Sequence, residues 1–466
     1  MAHVAIVGAG FAGLATTLFL VRRGHKVTLI EADAATPPDD ADTCFDHWRR
    51  HGVAQARQPH LILTRGSRIL QQEAPEALGA FVAAGANLLT LQGQRVEPTE
   101  DSATFFVASR RLPIEAVFRR LVLASGSVEF LSGERVSALD ARIGAGAPRV
   151  VGLRLDSGAC LDADLVVDAT GRFSRAAEWL ETADGEPPHE LRQDCNSFYL
   201  TGWYRKRPGR SLPQGQTPLS LNAGYAPFTC FPADGGVFAL SVAGSMSDPC
   251  GARLRRPEIF QRVMDHIPEF APWLEDADAL GEPQMMARIE NRWRALVKDA
   301  RPLVLGFVLL GDSAIHTNPT LGRGVSLGLM QAERLATLLD TLEPGSADLA
   351  LAFEQWRKDA LGIWYETQVA AEAGRLNAAE RALAGEEQQE PSTTADRFRA
   401  AFGLLASEDP VIFELSAKVM HLLVTPAELA ASQDVRAAIA KRLELGGSLV
   451  APLRGPTRAE FEALAG

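Results

Sequence analysis

The sequence has no apolar run long enough to span a membrane and no Cys-x-x-Cys pair among its five cysteines. The first absence argues against integral membrane association. The second removes the spacing signals of zinc, iron–sulfur and redox-disulfide sites. Cys44, Cys160, Cys195, Cys230 and Cys250 therefore read as buried or half-buried thiols in a reducing cytoplasm, with no metal site. Cationic excess is lacking too: the formal charge is -11, which argues against a nucleic-acid partner. No internal repeat appears, and the first strand begins by residue 3, so no signal peptide is expected. What the chain does have is a hydrophobic content of 46% over 466 residues, enough for a large core. That length asks for about two to three structural units.

The first thirty residues organise the rest. His3–Val7 is a short apolar run that reads as a buried strand, and Gly8-Ala9-Gly10-Phe11-Ala12-Gly13 follows directly. Leu14 to Arg23 reads as a helix, and a second strand, Lys26–Ile30, ends on Glu31. In such a βαβ unit the first glycine makes the tight turn and the second admits a pyrophosphate. The third lets helix and strand pack closely. The helix N-terminus offers unpaired N–H groups to the phosphates, and the acid accepts hydrogen bonds from a ribose diol. The strand before, the helix after and the acid at its distance together indicate dinucleotide binding. They leave FAD and NAD undecided.

Further along, Arg57, Gln58 and His60 cluster before a helical pattern from Leu61 to Ala74. This cluster is either a solvated loop or a wall of the ligand site. Phe105–Ala108 reads as a strand leading into a helix with Ser109 as N-cap, which sets Arg110 or Arg111 near a helix start, either within reach of a phosphate or as surface charges. Short strands follow around Val128–Leu131, Arg135–Leu139, Val150–Leu155 and Cys160–Ala163, and Gly144–Gly146 is a hairpin tip. Asp164–Asp168 is another apolar strand, broken at Gly171. From Asp194 to Ser247 the chain predicts a mostly antiparallel sheet holding Tyr199, Tyr204 and Tyr225, either a packed core or a substrate platform. Leu303–Leu310 is a continuous buried run that delivers Gly311-Asp312 and the Pro319–Gly324 loop to a helix from Val325 to about Leu342, a second polar-ligand site. Helical patterns fill the remainder, with a flexible connection at Ala384–Ala395.

Three motifs taken together, Gly8-x-Gly10-x-x-Gly13 with Glu31, the Asp164–Ser174 strand, and Gly311-Asp312 with its Pro319–Gly324 loop, resemble the para-hydroxybenzoate-hydroxylase-like (class A) FAD-dependent monooxygenases. The resemblance covers roughly residues 1–345, and Gly52–His60 is similar to a subgroup that includes bacterial polyether epoxidases. It implies an α/β fold: a Rossmann-like FAD-binding domain (1–190, with an inserted helical and loop segment 45–100, then 301–345), an antiparallel substrate-binding domain (191–300) and a helical C-terminal region (346–466). It further implies that Gly8, Gly10, Ala12 and Gly13 hold the FAD pyrophosphate, Glu31 the ribose, and Arg110 the pyrophosphate or ribityl chain. Arg57 joins the cofactor wall, Val136 meets adenine, Asp312 binds the ribityl hydroxyls, and Gly322 to Gly324 face the flavin pyrimidine edge.

The implied reaction is hydroxylation or epoxidation of a largely apolar small molecule in secondary metabolism. It uses NAD(P)H and O2 through a C4a-hydroperoxyflavin, with His316 either a candidate for polar work beside the flavin or a helix-capping, structural histidine. Two alternatives stand: an FAD-dependent reductase or dehydrogenase of an unsaturated, lipid-like substrate, and a non-catalytic flavin-binding protein. The middle motif, Asp168-Ala169-Thr170-Gly171, departs from the Asp-Gly of many hydroxylases and also occurs in reductases and halogenases. The Trp-x-Trp-x-Ile-Pro signature of flavin halogenases is absent, which argues against that chemistry.

Overall fold

In the computed structural model, which describes residues 1–97, 104–144, 146–214 and 219–466, the opening segment forms β1 (His3–Val7), α1 (Phe11–Arg22) and β2 (Lys26–Glu31). Ala145 of the expected hairpin tip lies outside the described residues. α1 stops where Gly24 takes φ +79°, the left-handed position after a helix that glycine supplies without strain. β1 is the middle of a five-stranded parallel sheet, ordered Phe307–Leu309, Leu165–Asp168, β1, β2, Val128–Ser132. β1 is buried at every position after His3, as a parallel strand covered on both faces of the sheet requires, which is why it is apolar at almost every position. The register sets Val7 beside Ile30 and Asp168, and Asp168 beside Leu309, so these strands end along one common edge.

Two smaller sheets flank this one. Val136–Arg142, Arg149–Leu155 and Cys160–Asp162 form a meander, in which Cys160 is exposed. That corrects the reading of all five thiols as at least half buried: Cys160 sits on the meander's outer strand, uncovered. Pro59–Ile62, Phe106–Arg110 and Asn87–Leu89 form the second. Leu61 and Ile62 are therefore strand, and the expected helix runs Thr64–Glu73. Pro59 opens this edge strand, where its missing N–H is tolerated. Ser109 is likewise strand and not an N-cap: its hydroxyl donates to Asp234 Oδ1 at 3.2 Å, and the helix starts at Arg111. The run before Gly311 is buried from Leu303 to Leu310 except at half-buried Leu305, but only Phe307–Leu309 of it is strand. Gly306 turns at φ +71°, where a Cβ would stand 2.3 Å from the Val150 carbonyl.

The antiparallel sheet is built on Ser197–Lys206 and Val237–Ser245 and reaches as far as Gln284–Met286. One of its faces carries a core of its own, with Phe198, Leu200 and Tyr204 packed on Phe260 and Trp273. The long helix Ala347–Leu383 follows, then a bundle around Ala401, Leu404, Ile412, Val435 and Ile439. The last helix, Arg458–Ala465, returns to the antiparallel sheet and adds Phe461 and Ala465 to its core. The C-terminal region thus does not stand apart. Among the described residues no helix is long and apolar enough to cross a membrane.

Candidate functional site

A cavity of about 470 Å³ runs along the carboxyl edge of the parallel sheet. Its wall begins at the glycine turn. Gly8 has φ +104° and a Cβ there would meet the Ala169 carbonyl oxygen at 2.6 Å, while a Cβ on Gly13 would stand 1.9 Å from the Gly8 oxygen. Both positions are closed to any side chain by neighbouring backbone, and Gly13 packs the turn without lining the cavity. Gly10 is different: its nearest neighbour would be Arg111 Nη2 at 3.9 Å, so its open side faces the cavity. α1 starts here with no side-chain cap, leaving its first N–H groups for a ligand.

Glu31 lines the cavity but also braces the turn. Its carboxylate accepts from the Ala9 N–H at 2.8 Å, the Asp33 N–H at 2.9 Å and Arg50 Nη2 at 3.0 Å. Arg50 is the residue that sequence reasoning missed. It is buried, and it donates to Glu115 Oε1 at 2.8 Å, Asp33 Oδ2 at 3.1 Å and the Ala9 carbonyl at 3.1 Å. Within a run of polar residues nothing marks it; the only signal was the number of acids that would need a buried partner.

Two expected contacts move. Arg110 does not reach the cavity: its guanidinium is held by Asp234 at 3.0 Å and by Asp42 at 2.7 Å, and its backbone N–H also binds Asp234. The chain passes from strand to helix between positions 110 and 111, so adjacent side chains diverge. Arg111 takes the place at the cavity wall, bonded to Glu115 Oε2 at 2.9 Å. Burial alone would raise the Glu115 carboxyl, but Arg111 and Arg50 outweigh it and hold it below the usual range. Arg57 is the second correction. It packs over Phe45 and donates to the Asp46 carbonyl at 2.9 Å, whereas Gln55, Gln58 and His60 of the same stretch line the cavity. Burial, reinforced by Arg111, depresses His60 to about 3, so this ring stays neutral, with Nδ1 donating to the Gln58 carbonyl at 2.8 Å.

The far end of the cavity is built by the second glycine segment. Asp312 accepts from Gln55 Nε2 at 3.3 Å and from His316 Nδ1 at 3.2 Å. Burial would raise its carboxyl, but His316, Arg111 and Gln55 bring it below the ordinary value. His316 lines the cavity with a buried Nε2 that has no protein partner. Gly322, at φ +61°, ends the Pro319–Leu321 turn, and the helix Gly324–Leu339 opens on the cavity without a side-chain cap. Behind this, fully buried Asp168 accepts from Thr170 and Ser313, and Ser313 Oγ accepts the Gly171 N–H at 2.8 Å, which locks the middle motif to the Gly311 segment. Val136 lines the opposite end, with Glu134 and Arg135.

The tyrosines do not form a platform over the cavity. Tyr204 stacks on Phe238 and Tyr225 lies tilted against Phe461, both inside the sheet's core. Tyr199, on the other face, bonds Asn318 at 2.5 Å and Thr320 at 2.6 Å, bracing the Pro319 turn. Met286 and Ile289 provide apolar wall near that turn.

Residues 3–39 match the family model described as FAD dependent oxidoreductase. Among curated proteins no match to the chain is found. Among solved structures the chain is similar to PqsL, a probable FAD-dependent monooxygenase from Pseudomonas aeruginosa. That match has 20% identity and a TM-score of 0.55, over 81% of this chain and 96% of that one. It is also similar to the flavin-dependent brominase Bmp2, at 16% identity and TM-score 0.61, over 95% of this chain and 98% of that one. A third similar structure is 2-methyl-3-hydroxypyridine-5-carboxylic acid oxygenase in its tetrameric form, at 17% identity and TM-score 0.56, over 81% of this chain and 92% of that one. The chain thus has the fold of FAD-dependent monooxygenases, entered through the βαβ unit of an FAD-dependent oxidoreductase.

Proposed function

We propose that this chain is an FAD-dependent monooxygenase that hydroxylates or epoxidises a largely apolar small molecule, with NAD(P)H as reductant and O2 as oxidant. One observation carries the reading: a single cavity joins two uncapped helix N-termini, at Gly10 and at Gly324, with Asp312 beside the second. It crosses five strands, roughly 19 Å at about 4.8 Å per strand spacing, a span that calls for an extended dinucleotide. FAD fits this donor set. The amides from Gly10 onward and Arg111 would hold its pyrophosphate, Glu31 a ribose and Asp312 the ribityl hydroxyls. Bound there, FAD would supply electron transfer and oxygen activation.

The protein's own part is orientation, water exclusion and charge. The N-terminus of Gly324–Leu339 would favour negative charge at the pyrimidine edge. Met286 and Ile289 add apolar wall beside the polar groups at that end. His316, bonded through Nδ1 to Asp312, lines this end of the cavity, and its unpartnered Nε2 makes it the candidate to orient a substrate hydroxyl. The similarity of Gly52–His60 to polyether epoxidases, with Gln55, Gln58 and His60 on the wall, favours an alkene substrate from secondary metabolism in the cytoplasm.

The test is oxygen uptake and NAD(P)H oxidation by the flavinated protein across candidate alkenes and phenols under ¹⁸O2. Incorporation of one labelled oxygen per NAD(P)H is expected. Hydride transfer to substrate without oxygen consumption would make it a reductase, and FAD binding without substrate-stimulated oxidation a non-catalytic flavoprotein. Bromide included in the same assay should yield no brominated product.

A further inference from the structure

The strand His189–Asp194 has no part in the cavity, yet its whole length is open. It lies at one edge of a three-stranded antiparallel sheet whose middle is Glu290–Ala295 and whose far edge is Ile315–His316. Every residue from His189 to Asp194 is exposed except half-buried Gln193. The Cys195 N–H donates to the Ile289 carbonyl at 3.0 Å, which continues the ladder by one step and sets its alternation. His189, Leu191 and Gln193 therefore turn their backbone groups toward Glu290–Ala295, and Glu190, Arg192 and Asp194 turn theirs away. Among the described residues no strand pairs with that outer side. An edge of this kind is a template for another strand, and charged side chains guard it against indiscriminate pairing. Here the guards alternate in sign, so they exclude some registers and favour others.

We propose that this edge binds a second copy of the chain, strand against antiparallel strand, about a two-fold axis at Leu191. Only residues turned outward can bond across such a seam. That axis sets Glu190 opposite the partner's Arg192, and by symmetry Arg192 opposite the partner's Glu190, each pair exchanging both of its N–H···O bonds. Leu191, 51% exposed, then covers its own counterpart. It is paired in its own sheet with Trp293, which packs edge-on against Tyr365, so the joined leucines extend an apolar strip. An axis moved by one residue fails on charge: at Arg192 it sets arginine on arginine and Glu190 against Asp194, and at Glu190 it sets glutamate on glutamate. An axis at Gln193 restores opposite pairs but aligns only Arg192 to Asp194 of the strand. Glu190 and Arg192 hold partners of their own, Arg294 Nε at 2.9 Å and Glu290 Oε2 at 2.6 Å, and remain partly exposed, so each can take a second opposite charge. The pairing joins two three-stranded sheets into one, with the cavity-lining His316 on its outermost strands.

Sedimentation of the full-length protein at increasing concentration should show a monomer–dimer equilibrium, with or without flavin, so the outcome leaves the FAD reading untouched. Arg192→Glu places glutamate opposite Glu190 in both pairs and should raise the dimer dissociation constant about tenfold. Position 191 then tests the register. Residues at the axis form a non-hydrogen-bonded pair with Cα atoms about 4.5 Å apart, inside the span of a disulfide. In a Cys160→Ser background, which removes the one exposed cysteine, Leu191→Cys should cross-link copies under mild oxidation. His189→Cys, which would face the partner's Gln193, should not. A parent that stays monomeric at every concentration overturns the proposal. So does a dimer that Arg192→Glu leaves as tight, or a His189→Cys cross-link as fast as that of Leu191→Cys. Should a variant not fold, hydrogen exchange in the parent still decides. Amides of Glu190 and Arg192 that gain protection as the concentration rises support the pairing, and a dimer that leaves them exchanging as in the monomer has formed through another face and refutes it.

Discussion

Replacing Arg110 and Arg111 one at a time by methionine separates two jobs that adjacent residues perform. Arg110 is 2% exposed and bonded to Asp234, itself 1% exposed, so Arg110→Met strands a buried carboxylate. Breaking such a pair from one side costs about 3–5 kcal/mol. That is a large part of a total stability of about 5–15 kcal/mol. No cavity contact goes with it. Arg111→Met leaves Glu115 with its second partner, Arg50 at 2.8 Å, so the loss of stability should be smaller, about 1–3 kcal/mol. Its effect falls on the ligand: a charged hydrogen bond to phosphate is worth about 1.5–3 kcal/mol, or roughly a ten- to 150-fold weaker FAD dissociation constant. Quenching of flavin fluorescence on binding gives the affinity, and urea midpoints give the stability. The expected result is a split: Arg110→Met unstable but binding FAD normally at low temperature, Arg111→Met stable but weak. An Arg110→Met protein that is folded by circular dichroism yet binds FAD tenfold more weakly, beside an Arg111→Met protein that binds normally, would refute the geometry.

The glycine turn yields a second contrast. Gly13→Ala sets a Cβ 1.9 Å from the Gly8 oxygen and should lower the melting temperature along with flavin content, whereas Gly10→Val meets no backbone and should give stable but colourless protein. A fully flavinated Gly10→Val protein counts against the pyrophosphate assignment. The third concerns pH. His421 is 2% exposed, its Nδ1 lies 3.0 Å from the Thr64 hydroxyl, and burial depresses it to about 4. The unfolded chain takes up this proton near pH 6.5 and the folded one does not, so stability present at pH 7 is lost as pH falls toward 4. The loss is roughly 2 kcal/mol by pH 5. Urea midpoints at pH 7 and 5 should differ accordingly, and His421→Gln should remove that part of the difference; an unchanged difference means the ring titrates normally.

What could be read from the sequence depended on whether a signal was periodic or relational. The βαβ unit was legible because buried parallel strands are apolar throughout and because glycines leave a spacing. The second segment was legible for the same reason. Strand parity by itself sends Tyr199 and Tyr204 to opposite faces of Ser197–Lys206, since successive side chains alternate, a point the grouping of the tyrosines on one sheet passed over. It could not show which face a helix covers: Phe260 and Phe461 close the Tyr204 side, while Thr201 and Trp203 share the other with Tyr199 and bond to Gln58 and the Arg57 carbonyl. Arg110 against Arg111 failed on a finer point. A strand turns into a helix between them, and a boundary error of one residue exchanges the side chain aimed at the ligand for the one aimed at Asp234.

Arg50 was out of reach for a reason that bears on the chemistry. Glu31, Asp33 and Glu115 crowd beneath the glycine turn, which by charge alone is a poor place for the pyrophosphate proposed there. Arg50 touches all three acids, and Arg111 shares Glu115. Glu115 is held below its usual range although it is fully buried, so the field at its position is net cationic. The acids also order their cationic partners. They fix two guanidiniums in place, one bracing Glu31 against the turn and one presented to the cavity beside Gly10. A charge network of this kind is assembled from three separate stretches of chain, and no local pattern in any of them announces it.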